Sequence, residues 1–209
     1  MRNKAINKLA QEALTPDDVL QDLLQGNERF VNNKLAEVAH LELVKETITG
    51  QYPKAVILSC IDSRVPVEQV FDQAIGDIFV ARVAGNFENT DILGSIEYAC
   101  AVAGSKLIFV LGHESCGAVK AACDGVELGN ITSMLANIIP AVKKSSTEVE
   151  GEANSSNKEF VAKTVENNVL LTMQRIQERS NLLSEMIDGD EVKIVGGVYS
   201  LSSGKVNLM

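Results

Sequence analysis

The 209-residue chain has no tryptophan, only two histidines, and no run of eighteen apolar residues. Without such a run, no membrane-crossing helix is expected. Basic residues are also scarce: 19 Lys and Arg against 28 Asp and Glu give a net charge of −9. That balance suits a soluble protein and argues against a nucleic-acid partner, which needs a basic patch. Met1 to Lys8 lack the apolar core and cleavage site of a signal peptide, so the expected location is cytoplasmic. No Cys-x-x-Cys motif occurs, which makes a thiol redox enzyme a distant prospect. Four cysteines, Cys60, Cys100, Cys116 and Cys123, could in principle form two disulfides. In a cytosolic chain of this size, metal or catalytic use is the better expectation. Cys100 and Cys123 sit in helical apolar stretches without a partner motif, and are expected to be buried structural thiols.

What is present is concentrated in two clusters. Cys60-Ile61-Asp62-Ser63-Arg64 follows the apolar run Ala55 to Leu58, and His113-Glu114-Ser115-Cys116 follows Lys106 to Leu111. Two thiols, an imidazole and a carboxylate thus fall at the ends of two predicted strands. These are ligand types that zinc prefers. Buried thiols and a satisfied core histidine would explain either cluster alone; the pair points to a metal site. Three ligands, Cys60, His113 and Cys116, leave a fourth position for water or for Asp62. Arg64 competes for Asp62, because its planar fork holds a carboxylate bidentately. With Asp62 on Arg64 the site stays open to water; with Asp62 on the metal it is shut. Cys116 is expected at a helix start, where the dipole favours a thiolate.

Along the chain, the first fifty residues read as helical, with spans near 3–14, 15–30 and 36–48. Thr15-Pro16-Asp17-Asp18 is the clearest start, with a capping threonine, proline at the first helical position and acidic residues in the first turn. From Ala55 onward strands and helices alternate. Strands are expected at 55–60, 77–83, 106–112 and 190–199. A helix carries Ile92, Ile96, Ala99 and Ala103, another runs from Cys116 to Cys123, and a long one carries Val161, Val165, Val169, Met173 and Ile176. Residues 144–157 read as a polar loop. Ser202 to Lys205 turn the last strand into a short one ending near Leu208. The predicted fold is α/β: a central, mainly parallel sheet flanked by helices, with an N-terminal helical extension and a C-terminal antiparallel edge hairpin. One domain spans 1–209, with 1–50 as an arm and 51–209 as the core.

With both clusters in place, the sequence resembles the β-class carbonic anhydrases. Cys-x-Asp-x-Arg and His-x-x-Cys carry the resemblance, together with Gly76 to Arg82 and Val195-Gly196-Gly197-Val198-Tyr199. In the arm, only Gly26-Asn27-Glu28-Arg29-Phe30 matches. The resemblance implies reversible hydration of carbon dioxide to bicarbonate and a proton, by hydroxide generated on one zinc per chain. Cys60, His113 and Cys116 would be the ligands, and Asp62 with Arg64 the catalytic dyad. Gln51 would hydrogen-bond substrate, and Phe79, Tyr98 and Ala84 would line its pocket. Two departures stand out. Val83 replaces a usual asparagine, and Ile57 occupies the place of a tryptophan found in the bicarbonate-inhibited branch, which favours the open site. The resemblance also implies a homodimer or homotetramer, with residues 1–48 packed on a second subunit. Alternatives are hydrolysis of carbonyl sulfide or carbon disulfide on the same scaffold, or a non-catalytic zinc-stabilised interaction domain.

Overall fold

A computed structural model describes all 209 residues. Its centre is a five-stranded sheet in the order β2-β1-β3-β4-β5, formed by β1 (Ala55–Ser59), β2 (Ile78–Arg82), β3 (Leu107–His113), β4 (Lys193–Tyr199) and β5 (Val206–Leu208). The first four run parallel, and β5 returns antiparallel to β4. Every residue of β1 and of β3 is buried. Alternate side chains therefore feed two cores. Ala55, Ile57, Leu107, Phe109 and Leu111 face one, with Val19, Leu23 and Phe71. Val56, Leu58, Ile108 and Val110 face the other, with Ile96, Val169 and Ile176. This double burial explains the near-continuous apolar runs, since a parallel sheet is covered on both faces.

The arm contains α1 (Lys8–Glu12), α2 (Pro16–Val31) and α3 (His40–Glu46). Helix α2 begins as expected, with a reciprocal capping box between Thr15 and Asp18. The expected helix at 3–14 shrinks to the single turn α1. Arg2 is drawn away to the buried carboxylate of Asp77 at 2.6 Å, and its backbone pairs with Glu37 and Ala39. The expected helix at 36–48 begins only at His40, because Ala36 N–H donates to Asp72 and Val38 bridges Arg2. Asn27 explains the one motif in the arm. Its buried amide donates to Val70 and Gly204 carbonyls, at 3.0 and 2.9 Å, and accepts from Val206 N–H at 2.8 Å. One side chain thus ties α2 to the C-terminal hairpin.

The remaining helices are α4 (Val67–Val70), α5 (Thr90–Glu97), α6 (Gly117–Cys123), α7 (Gly129–Leu135), α8 (Ile139–Ser145), α9 (Lys158–Arg179) and α10 (Asn181–Asp188). The chain after α5 widens into a π turn, Tyr98–Val102. Helices α4, α7, α8 and α10 are too short to leave a strong apolar period, and none is anticipated by the sequence. Helix α9 lies directly on β3 and β4. A methyl group at Gly112 would meet Val169 at 2.7 Å, and one at Gly196 would meet Met173 at 2.5 Å. Both glycines are there for close approach.

Candidate metal centre

Strands β1 and β3 are neighbours in register, with Ser59 opposite Leu111. Their carboxyl ends therefore bring Cys60 and His113 together, in the crevice where open parallel sheets bind ligands. Cys116 follows as the N-cap of α6. The donor atoms of Cys60, His113 and Cys116 all lie within 4.8 Å of one another. The two sulfurs are 3.9 Å apart. Ligands about 2.3 Å from a tetrahedral zinc would have sulfurs about 3.8 Å apart, so the spacing fits.

His113 is completely buried. Its Nδ1 lies 2.9 Å from the Glu114 carbonyl. A carbonyl only accepts, so Nδ1 carries the proton and Nε2 presents a bare lone pair. That Nε2 is buried and has no hydrogen-bond partner. An orphaned acceptor costs about 1–3 kcal/mol, which a metal ion in this position would offset. The two thiols hydrogen-bond each other. Hydrogen bonding from Cys116, against the opposing effect of burial, pulls Cys60 down, and the Gly85 amide helps. The same bond, reinforced by burial, pushes Cys116 up. The residues present fit zinc in number, chemistry and spacing.

Asp62 is held by Arg64 through three bonds. Oδ1 accepts from Arg64 N and Nε, both at 2.9 Å, and Oδ2 accepts from Nη2 at 2.7 Å. These side-chain bonds outweigh burial and hold the Asp62 carboxyl well below the usual carboxylate range. Oδ2 also lies 3.8 Å from His113 Nε2. The carboxylate therefore borders the cluster while remaining paired with the guanidinium. Arg82 fixes the loop beneath it, with Nε donating to Cys60 O at 2.9 Å and Nη2 to Asp62 O and Val65 O at 2.8 and 3.0 Å. Its role has one signal in the sequence, a charged residue closing an apolar strand.

Gln51, Phe79 and Tyr98 do not join this cluster within one chain. They line a separate pocket of about 580 Å³ together with residues of α1 and the π turn. The rings of Phe79 and Tyr98 pack edge to face at 6.4 Å between centroids. Phe79 pairs with Val56, four residues before Cys60, which sets the two groups about 13 Å apart along the strand. Ala84, by contrast, belongs to the turn beside Cys60, where the next residue, Gly85, donates its N–H to Cys60 Sγ at 3.3 Å. Cys100 and Cys123 are buried, as expected of structural thiols.

The family model for carbonic anhydrase matches residues 55–206. "Carbonic anhydrase 2" of Mycobacterium tuberculosis is 38% identical over 188 residues, which cover 89% of each chain. A tetrameric β-carbonic anhydrase from Sordaria macrospora superimposes with a TM-score of 0.73 at 25% identity, covering 92% of this chain and 97% of that one. A Coccomyxa β-carbonic anhydrase, solved with acetazolamide, gives 0.71 at 24% identity, over 91% and 86% of the two chains. Sheet order, ligand cluster and these likenesses agree, and the chain belongs to the β-class carbonic anhydrase family.

Proposed function

We propose that this protein catalyses the reversible hydration of carbon dioxide to bicarbonate and a proton, with one zinc ion held by Cys60, His113 and Cys116. The observation that carries the reading is the buried, unpartnered Nε2 of His113 facing two thiol sulfurs, with a carboxylate beside them committed to Arg64. Zinc supplies a Lewis acid that makes water acidic enough to give hydroxide near neutral pH. Asp62 and Arg64 do the orienting. Asp62 stays ionised and can only accept, so an attacking oxygen beside it turns its hydrogen to the carboxylate and a lone pair towards the substrate. Arg64 keeps that carboxylate from taking the fourth ligand position. Its three bonds come from a single residue, so the pair moves as a unit.

Gln51, Phe79 and Tyr98 support substrate binding by a different route. They lie too far from Cys60 to serve the metal centre of their own chain, so they serve a neighbour's. Exposed apolar side chains on the same elements fit this arrangement: Leu9 at 79%, Tyr98 at 56% and Val102 at 71%. Such surface needs a partner. The working unit is then a homodimer, or a pair of dimers, in which the arm spans the boundary. No helix is long and apolar enough to cross a membrane, and a cytoplasmic enzyme is the simplest reading.

The test is stopped-flow hydration of carbon dioxide from pH 6.5 to 9, with metal content measured on the same sample. One zinc per chain and a rate that rises with pH are expected, because two thiolates leave bound water less acidic than three imidazoles would. One zinc with no turnover on carbon dioxide at any pH would reject the reading, and direct assays on carbonyl sulfide and carbon disulfide would then decide between another gas and a non-catalytic site.

A further inference from the structure

The N–H of Gly85 is aimed at the sulfur of Cys60, and nothing in glycine itself fixes that aim. Residues Val83 to Asn86 form a tight turn, closed by Asn86 N–H donating to Val83 O at 3.0 Å. Gly85 occupies its third position with φ +85°, the geometry of a type II turn. The alternative, type I, differs mainly by reversing the peptide between Ala84 and Gly85. That reversal would point the Gly85 N–H away from Cys60. Glycine adopts both signs of φ with similar ease, so residue 85 accommodates the form that aims its N–H at Cys60, and the turn has then to be held in place.

Two neighbours hold it. Ile138 fills the space where a Cβ on Gly85 would lie, which keeps the position free for glycine only. Asn168, on α9 and 1% exposed, donates Nδ2–H to the Gly85 carbonyl at 2.8 Å. A polar side chain buried this deeply on a helix packed against the sheet is expensive unless its hydrogen bond is needed. Farther along, Glu88 is anchored by Arg175 and Arg179 of the same helix, at 3.1 and 2.9 Å. The segment after β2 is therefore held from α9 at both ends.

We propose that Asn168 is a positioning residue for the metal centre: by holding the Gly85 carbonyl against α9, it fixes where the turn sits and so keeps the Gly85 N–H within reach of Cys60 Sγ. The proposal rests on the reading of Cys60 as a metal ligand. An N–H bond to a ligating thiolate withdraws electron density from sulfur and orients it, as outer partners of metal ligands do elsewhere. Asn168 touches neither metal nor substrate, and acts through Gly85, whose carbonyl it holds and whose N–H, in the preceding peptide, reaches the sulfur.

The experiment uses the protein loaded with cobalt(II), in which thiolate-to-metal charge transfer gives an absorption band. Asn168→Asp keeps the shape and removes the donor. It should move that band to longer wavelength, weaken zinc in chelator competition by about ten- to a hundredfold, and shift the Gly85 amide proton upfield in ¹⁵N-resolved spectra. Asn167→Ala is the control. Asn167 is buried on the same helix but donates to Ser145 and Glu148, at 2.9 and 2.8 Å, so it should leave all three readouts in place whatever it does to stability. An unchanged band and zinc affinity in folded Asn168→Asp would overturn the proposal, and so would equal changes in Asn167→Ala. If Asn168→Asp does not fold, the Gly85 amide of the unaltered protein decides. A downfield, slowly exchanging proton supports the bond to sulfur, and a rapidly exchanging one overturns it. No thiolate–cobalt band in the unaltered protein would instead reject the ligand assignment itself.

Discussion

Asp62 has two oxygens, and one neighbouring residue occupies both. Replacing it by asparagine keeps the volume but turns one acceptor into a donor, which disrupts the fork with Arg64 and leaves nothing to accept the nucleophile's hydrogen. Asp62→Asn is expected to lower turnover at least about a hundredfold while zinc content and fold persist, read by stopped-flow assay and metal analysis. A variant that loses zinc in parallel with activity would mean that Asp62 holds the metal rather than orienting the nucleophile. His113→Ala should behave differently. It removes a ligand, so zinc should be lost first and activity with it. The ligands and Asp62 were legible in the sequence because each motif is short and each lies just beyond an apolar strand. Asn168 and Gly85 were not: they are 83 positions apart, and an asparagine within a helix gives no hint of what it holds.

At the scale of elements, α9 is both a lid on the sheet and a scaffold for the segment after β2. Its apolar stripe, Val161, Val165, Val169 and Ile176, is readable from spacing, and all four residues are buried. Its polar contribution is not readable. Arg175 and Arg179 converge on Glu88, which is 2% exposed. Removing one partner leaves a buried carboxylate half-compensated. Arg175→Leu should therefore destabilise the protein by about 1–3 kcal/mol, measured by urea denaturation, with Arg179 preventing a larger loss. The short elements were illegible for a related reason. Arg2, next to the first expected helix, and Ala36, at the start of the third, are drawn to the carboxylates of Asp77 and Asp72, contacts that exist only once the sheet has formed.

For the whole molecule, the separation of the Gln51 pocket from the ligand cluster makes a sharp prediction. Chains carrying Gln51→Ala and chains carrying Cys60→Ser should each assemble into impaired enzymes. Mixed by refolding together, they should recover activity, because one site in the mixed pair has intact ligands and an intact glutamine from its neighbour. Mixtures no better than the sum of their parts would place both functions in one chain. Acid stability is a second property of the ensemble. Burial alone would raise Asp22, but the charge and hydrogen bond of Lys54 outweigh it, and its pKa lies below normal. A carboxyl depressed on folding contributes stability that is complete above its unfolded value of about 3.9 and is lost as pH falls below it. The Asp22 contribution, read as the difference in melting temperature between the protein and Asp22→Asn, should thus be constant between pH 7 and 5 and shrink below about pH 4. A mainly parallel sheet and its edge hairpin were readable from alternation and turn residues; strand order and assembly were not, since a single sequence does not say which strand or which exposed leucine meets which neighbour.

The pairing of β1 with β3 has one more consequence. Cys60 comes from one strand and His113 from the other, so the ligands converge in a single alignment of the two. A slip by one residue would carry a sulfur about 3.3 Å from its place and turn its side chain to the opposite face. Only correctly threaded chains can then take up the ion, and each ion taken up penalises every mispaired form by its binding free energy. On the proposed zinc reading, metal incorporation would act as proofreading, with the ion selecting chains whose strands have met in the right frame.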